Sequence, residues 1–161
     1  MPPNDASAAF GAFFDDQRWI RTAIELSRRC PPSSTAFSVG AVIVDTDGRV
    51  IATGYSRQHD PRDHAEEVAL AAVRRHSESI DLTRTTLYSS LEPCGDRASR
   101  PDSCASLIIA AGIPRVVFAW REPAIFVQGR GASLLRAAGV DVVELSELAD
   151  LVRDVNAHLL S

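Results

Sequence analysis

Apolar residues recur along this chain with two different periods. Over residues 15–29 they fall at Trp19, Ile20, Ala23, Ile24 and Leu26, the spacing of one helix face. Pro31-Pro32 ends that helix. Residues 1–14 are expected as a flexible tail, with 15–161 as one domain. Residues 39–45 and 50–55 are apolar, β-prone runs with the turn signal Asp47-Gly48 between them, which predicts a hairpin. A polar loop over 58–62 leads to a helix over 64–76. Residues 85–91, 115–120 and 140–145 predict three more strands. Helices are predicted between them. One covers 103–111, capped by Asp102 or Ser103 and closed by Gly112, and the other covers 132–138, closed by Gly139. Ser146 opens a last helix that runs towards Leu159.

From the third strand onwards, strands and helices alternate, which favours parallel pairing through crossovers. The expected fold is α/β, a three-layer α/β/α sandwich with a five-stranded mixed sheet. No repeat, low-complexity tract or linker divides it.

Composition narrows the partners. The formal net charge is −4, which argues against a nucleic-acid binder that works by bulk phosphate neutralisation. No apolar run approaches the roughly 20 residues needed to span a bilayer, so no membrane partner is expected. Residues 1–16 lack the basic and apolar regions of a signal peptide. The cysteines are Cys30, Cys94 and Cys104. An odd count without an export signal points to the cytoplasm and to thiolate chemistry.

The candidate chemistry starts at His64-Ala65-Glu66, with Pro93-Cys94 and Cys104 downstream. One histidine and two cysteines can hold zinc with three protein ligands, leaving a fourth position for water. Glu66 supplies a proton carrier beside it. Cys104 falls in the first turn of a helix, where the helix dipole favours the thiolate that binds metal. The expected cofactor is therefore Zn2+, held by His64, Cys94 and Cys104, with Glu66 catalytic. A competing reading exists, because Asp63 and Glu66 match a capping box. Glu66 cannot both cap the helix and serve the metal, and the downstream cysteines favour the second role. Each piece alone is weak, the combination is much more specific, and zinc, water and carboxylate together are the parts needed to hydrolyse an amine off a heterocycle.

With these residues the chain resembles the cytidine deaminase-like superfamily, whose signature is His-x-Glu followed by Pro-Cys-x-x-Cys. It departs from that signature in having nine residues between Cys94 and Cys104. A long spacer is similar to the deaminase domain of the bacterial bifunctional riboflavin-biosynthesis deaminase/reductase. Leu91-Glu92-Pro93-Cys94, Ala110-Ala111-Gly112-Ile113, Arg115-Val116-Val117, Gly129-Arg130-Gly131 and the stretch from Leu135 to Val140 also look like that domain. The resemblance implies zinc on His64, Cys94 and Cys104, proton transfer by Glu66, and a backbone N–H of Ala65 that helps to hold the substrate ring. It also implies a homodimer or homotetramer.

The departures concern the substrate. Two loops of that family carry asparagines that contact substrate, in the patterns Pro-Asn-Pro-x-Val-Gly and Asp-Pro-Asn-Pro-x-Val-x-Gly. Here Ala36 and Ala124 stand at those positions. The loss of two buried amides can cost orders of magnitude in discrimination. The 161 residues also leave no room for that family's reductase domain. Phe37 and Phe126 are candidates to stack on the ring, and Ser38, Ser89, Ser90 and Gln128 to make polar contacts. Arg97, Arg100 and Arg130 could grip a phosphate, but solvated loop arginines are the preferred reading. Trp120 is assigned to the core and Cys30 to a structural role. His59, His76 and His158 are expected at the surface. The expected function is a zinc-dependent hydrolytic deaminase that releases ammonia from a small aminated heterocycle, pyrimidine-like or purine-like. The alternatives are a stand-alone riboflavin-pathway aminopyrimidine deaminase and a nucleic-acid-editing deaminase. A non-catalytic zinc module is a further class, which Glu66 argues against.

Overall fold

The computed structural model describes residues 5–76, 79–97, 100–123 and 130–160, with side chains from Asp15 onwards. The elements follow in the order α1 (Asp5–Ser27), β1 (Gly40–Asp45), β2 (Val50–Tyr55), α2 (Ala65–Arg74), β3 (Thr85–Leu91), α3 (Cys104–Ala111), β4 (Arg115–Trp120), α4 (Gly131–Ala137), β5 (Asp141–Glu144) and α5 (Ala149–Val155). The five strands make one sheet in the order β2-β1-β3-β4-β5. β1 pairs antiparallel with β2 and β3, while β3, β4 and β5 run parallel. The expected mixed sheet is therefore present.

Both faces of the sheet are covered. On one face α1 and α5 bury Trp19, Ile20, Ala23, Ile24 and Val152 against Val42, Val44, Tyr88, Val117 and Ala119. On the other face Ala65, Ala69, Val73, Ala105, Ile108 and Leu135 pack on Ala41, Ile43, Leu87 and Val116. Alternate residues of one strand thus feed two cores.

Two expectations need correction. The first helix begins at Asp5, ten residues before the predicted start. The alanines that read as a tail are also strong helix formers. The last helix is broken. A 3-10 turn over Ser146–Leu148 precedes α5, and another follows over Ala157–Leu159. At the second break the Asn156 side chain donates to Val152 O at 3.1 Å, so it competes with the helix backbone. No helix among the described residues is long and apolar enough to cross a membrane.

Candidate active site

The site forms where the N-termini of α2 and α3 meet the end of β3. Ser103 caps α3, its side chain accepting from the Ser106 N–H at 3.1 Å, and Cys104 is the first helical residue. Gly112, at φ 78°, closes the helix in a left-handed conformation that suits glycine. Cys94 follows β3 on a segment pressed against α4. A Cβ on Gly131 would lie 1.6 Å from Pro93 O, so only glycine lets α4 approach that segment.

These elements bring His64, Cys94 and Cys104 together. Their donor atoms all lie within 4.8 Å of one another, the one such metal-type cluster among the described residues. His64 Nδ1 is 3.3 Å from Cys104 Sγ and 3.5 Å from Cys94 Sγ. The Cys104 N–H donates to Cys94 Sγ at 3.3 Å. The hydrogen bond from the Cys104 thiol, aided by the His64 ring, holds the Cys94 thiol well below its ordinary range, against the opposing effect of burial. Holding that bond and lying fully buried, Cys104 is pushed up. Two sulfurs beside an imidazole nitrogen are a donor set suited to zinc.

The capping conflict resolves by one residue. His64, not Asp63, is the N-cap, and Glu67 reaches back to accept from the His64 N–H at 2.9 Å. Glu66 is therefore released from capping and turns inward, only 3% exposed. Burial pushes its carboxyl up, opposed by the His64 charge and a Ser89 hydrogen bond. Ser89 Oγ lies 2.7 Å from Glu66 Oε1 and 2.7 Å from Leu91 O. Its single proton serves one of them at a time. An ionised Glu66 accepts from Ser89, whereas a protonated Glu66 can donate to Ser89 while Ser89 donates to Leu91 O.

Above this floor lies a cavity of about 380 Å³. His64, Ala65, Glu66 and Cys94 line its base, and Thr35, Ala36, Phe37 and Arg57 line one wall. Ala65 opens α2, so its N–H is one of the first-turn amides that a helix leaves without an internal partner.

Ala36 and Phe37 thus border the cavity. Ser38 and Ser90 do not line it. The Ser38 hydroxyl accepts from Arg57 at 3.0 Å, and the Ser90 hydroxyl accepts from the Gly40 N–H at 3.1 Å. Ser89 is the serine that faces Glu66. Ala124, Phe126 and Gln128 lie outside the described residues. Arg97 is not a solvated loop arginine. Its side chain is 3% exposed, pairs with Glu67 at 3.1 Å and borders the cavity. Arg100 pairs with Asp63 at 3.1 Å and Glu67 at 3.3 Å, and Arg130 pairs with Asp96. The Cys30 thiol bonds Val39 O at 3.5 Å, and His59, His76 and His158 are exposed. Trp120 is half-buried rather than fully in the core and meets the Phe37 ring edge-on, with centroids 5.7 Å apart.

Two carboxylates escaped the sequence reading. Glu92 is buried and accepts from the N–H groups of Glu122 at 3.0 Å and Ala132 at 2.9 Å, tying β3 to β4 and α4. Glu122 borders the cavity, and its Oε2 is buried with no hydrogen-bond partner among the described residues. Burial first, then the charges of Cys94, Glu66 and Glu92, push the Glu122 carboxyl up to about 8.

Comparison with known proteins agrees with this geometry. Residues 14–120 match the family model described as the cytidine and deoxycytidylate deaminase zinc-binding region. A diaminohydroxyphosphoribosylamino-pyrimidine deaminase of Schizosaccharomyces pombe is 35% identical over 144 residues, 89% of this chain and 35% of that protein. The chain thus spans about a third of the length of the first curated relatives it matches. A Thermotoga maritima diaminohydroxyphosphoribosylaminopyrimidine deaminase/reductase superposes with a TM-score of 0.74 at 34% identity, over 88% of this chain and 39% of that one. An Aspergillus oryzae Rib2 deaminase superposes with a TM-score of 0.75 at 25% identity, over 87% and 89%. By its matched model, its fold and its His-Cys-Cys cluster, this chain belongs to the cytidine and deoxycytidylate deaminase zinc-binding family.

Proposed function

We propose that this chain is a hydrolytic deaminase that releases ammonia from a small aminated heterocycle, using zinc held by His64, Cys94 and Cys104. The observation that carries this reading is a buried carboxyl, Glu66, freed from capping beside three clustered metal-type donors. Bound zinc would supply an acidified water as the nucleophile. Glu66 would take its proton and pass it to the ring nitrogen, then to the departing amine. Burial suits Glu66 to this work, because it strengthens the carboxyl's hold on a proton relative to an exposed glutamate. Ser89 holds Glu66 Oε1 in both protonation states. Ala65, at the N-terminus of α2, would present its backbone N–H to the ring. Ala36 and Phe37 would form an apolar wall against the ring face, and Ala124 and Phe126 are further proposed substrate contacts.

The relatives' names make a ribosylated diaminopyrimidine the first substrate to test. The two alanines in place of asparagines support a ring with different polar edges from that of the riboflavin-pathway family. Residues 15–161 would work as one domain, in the cytoplasm, as a homodimer or homotetramer. The test is ammonia release by the zinc-loaded chain across aminated pyrimidines, purines and pterin-like rings, with Glu66→Ala as control. Turnover that persists in Glu66→Ala with zinc bound overturns the reading. Light scattering in solution checks the assembly.

A further inference from the structure

The apolar wall of the cavity is borne by a segment with no regular secondary structure, residues 31–38. Its internal side-chain bonds come from Ser33, which accepts from the N–H groups of Thr35 at 3.2 Å and Ala36 at 3.0 Å. Two distant side chains hold the rest. The first is Arg57, just past β2, which sits in a left-handed conformation at φ 58°. It donates to Pro31 O from Nε at 3.2 Å and Nη2 at 2.8 Å, to Phe37 O at 3.1 Å and to Ser38 Oγ at 3.0 Å. Four of its five N–H groups are spent in this way. Arg57 is therefore a tether, with little left for a substrate anion.

The second is Asn156, at the end of α5 and 0% exposed. Its Oδ1 accepts from the Ser38 N–H at 2.7 Å, and its Nδ2 donates to Ser38 O at 3.2 Å. One amide thus closes both backbone groups of Ser38, as a neighbouring strand would. The contact spans 118 positions of sequence. Two flanking contacts follow the same route. A ring nitrogen of His158 lies 2.9 Å from Ser33 O. The Arg153 guanidinium sits 5.7 Å over the Trp120 ring, which in turn meets Phe37.

We propose that Asn156 is a positioning residue of the active site, through which the C-terminal segment clasps residues 31–38 and sets the fit of the cavity wall to the substrate ring. A buried asparagine at the end of a helix is costly unless fully bonded, and an apolar residue would pack α5 as well. This one directs its amide at the residue next to Phe37. The clasp touches neither the metal donors nor Glu66, so it governs substrate fit and leaves the chemical step alone.

The proposal rests on the deaminase reading for its kinetic consequence and on geometry alone for the clasp. The experiment therefore measures both, on the intact zinc-loaded chain. Asn156→Ala is expected to raise KM by about tenfold with kcat and zinc content nearly unchanged, a loss of binding made equally before and during the reaction. In the same variant the Ser38 amide is expected to exchange with deuterium at least about tenfold faster. Asn156→Asp keeps the acceptor and loses the donor, so its KM should lie between the two, and it serves if the alanine variant does not fold. An unchanged KM, or a fall in kcat as large as the rise in KM, overturns the positioning role. Unchanged Ser38 exchange overturns the clasp itself. If the unaltered chain deaminates no ring, the functional reading falls and amide exchange alone decides the clasp.

Discussion

The floor and the wall of the cavity are built on different principles. The floor takes its donors from three points that the fold fixes rigidly: two helix N-termini and the end of a central strand. Each donor is held by local bonds, such as Glu67 on the His64 N–H and the Cys104 N–H on Cys94 Sγ. The wall over residues 31–38 has no helix or strand of its own and depends on Arg57 and Asn156. The floor is therefore suited to keeping one reaction unchanged, while the wall can vary with the substrate. Ala36 lies on the variable side.

This contrast can be broken most severely at the metal. Cys94→Ala should abolish both zinc retention and turnover, which elemental analysis beside an ammonia assay will show. Chelation of the intact chain should do the same, with recovery on adding zinc back. A chelated chain with full activity would remove metal chemistry from the floor. Glu66→Gln should keep zinc and lower kcat by about 10²–10⁴-fold, the usual range for a lost general acid–base. Ser89→Ala should lower kcat by about 10–10²-fold with little change in KM, because a hydrogen bond to a charged group contributes about 1.5–3 kcal/mol. An unchanged kcat in that variant would mean that Glu66 needs no support from β3.

Glu122 tests the boundary between the two regions. The buried Glu122 Oε2 has no partner among the described residues, and a buried carboxyl oxygen left without one is costly. Glu122→Gln should therefore raise the midpoint of thermal unfolding and lower kcat/KM by about tenfold, the trade expected of a functional group. Stabilisation with unchanged kcat/KM would assign Glu122 to neither region.

The smallest effect is expected on the far face of the sheet. There the Tyr88 hydroxyl donates to Asp16 at 2.7 Å, and Arg115 holds the same carboxylate at 2.9 and 2.7 Å. Burial and the Asp16 hydrogen bond push the Tyr88 phenol up. The folded chain then keeps a proton that the unfolded chain loses above pH about 10. This contribution to stability is whole below that pH and declines as pH rises through it. Tyr88→Phe should flatten the alkaline limb of a melting-temperature profile and leave turnover unchanged.

The floor was legible because metal chemistry needs particular residue types, and few other roles place His-x-Glu before two such cysteines. The wall was not. Ser89 and Ser90 were equal candidates because β3 is buried on both faces, so hydropathy does not say which serine faces which layer. The capping-box pattern misplaced the helix start by one residue, since Asp63 and His64 are each followed three residues later by a glutamate. Arg57, Glu122 and Asn156 belong to no motif read from the sequence, and Glu92 was read only as a neighbour of Cys94. Each is an ordinary polar residue whose decisive partners are distant, as Ser38 is from Arg57 by 19 positions and from Asn156 by 118, or, for Glu122 Oε2, have no counterpart among the described residues.

The amino-acid sequence by itself determined the strand and helix succession, the mixed sheet and the donor set, because periodicity and metal-ligand chemistry are properties of residue type and spacing. Only the tertiary structure decided which glutamate caps and which turns inward, which serine supports it, and what holds the recognition wall. Those outcomes depend on the direction in which each side chain meets a distant neighbour, and local pattern carries no record of direction.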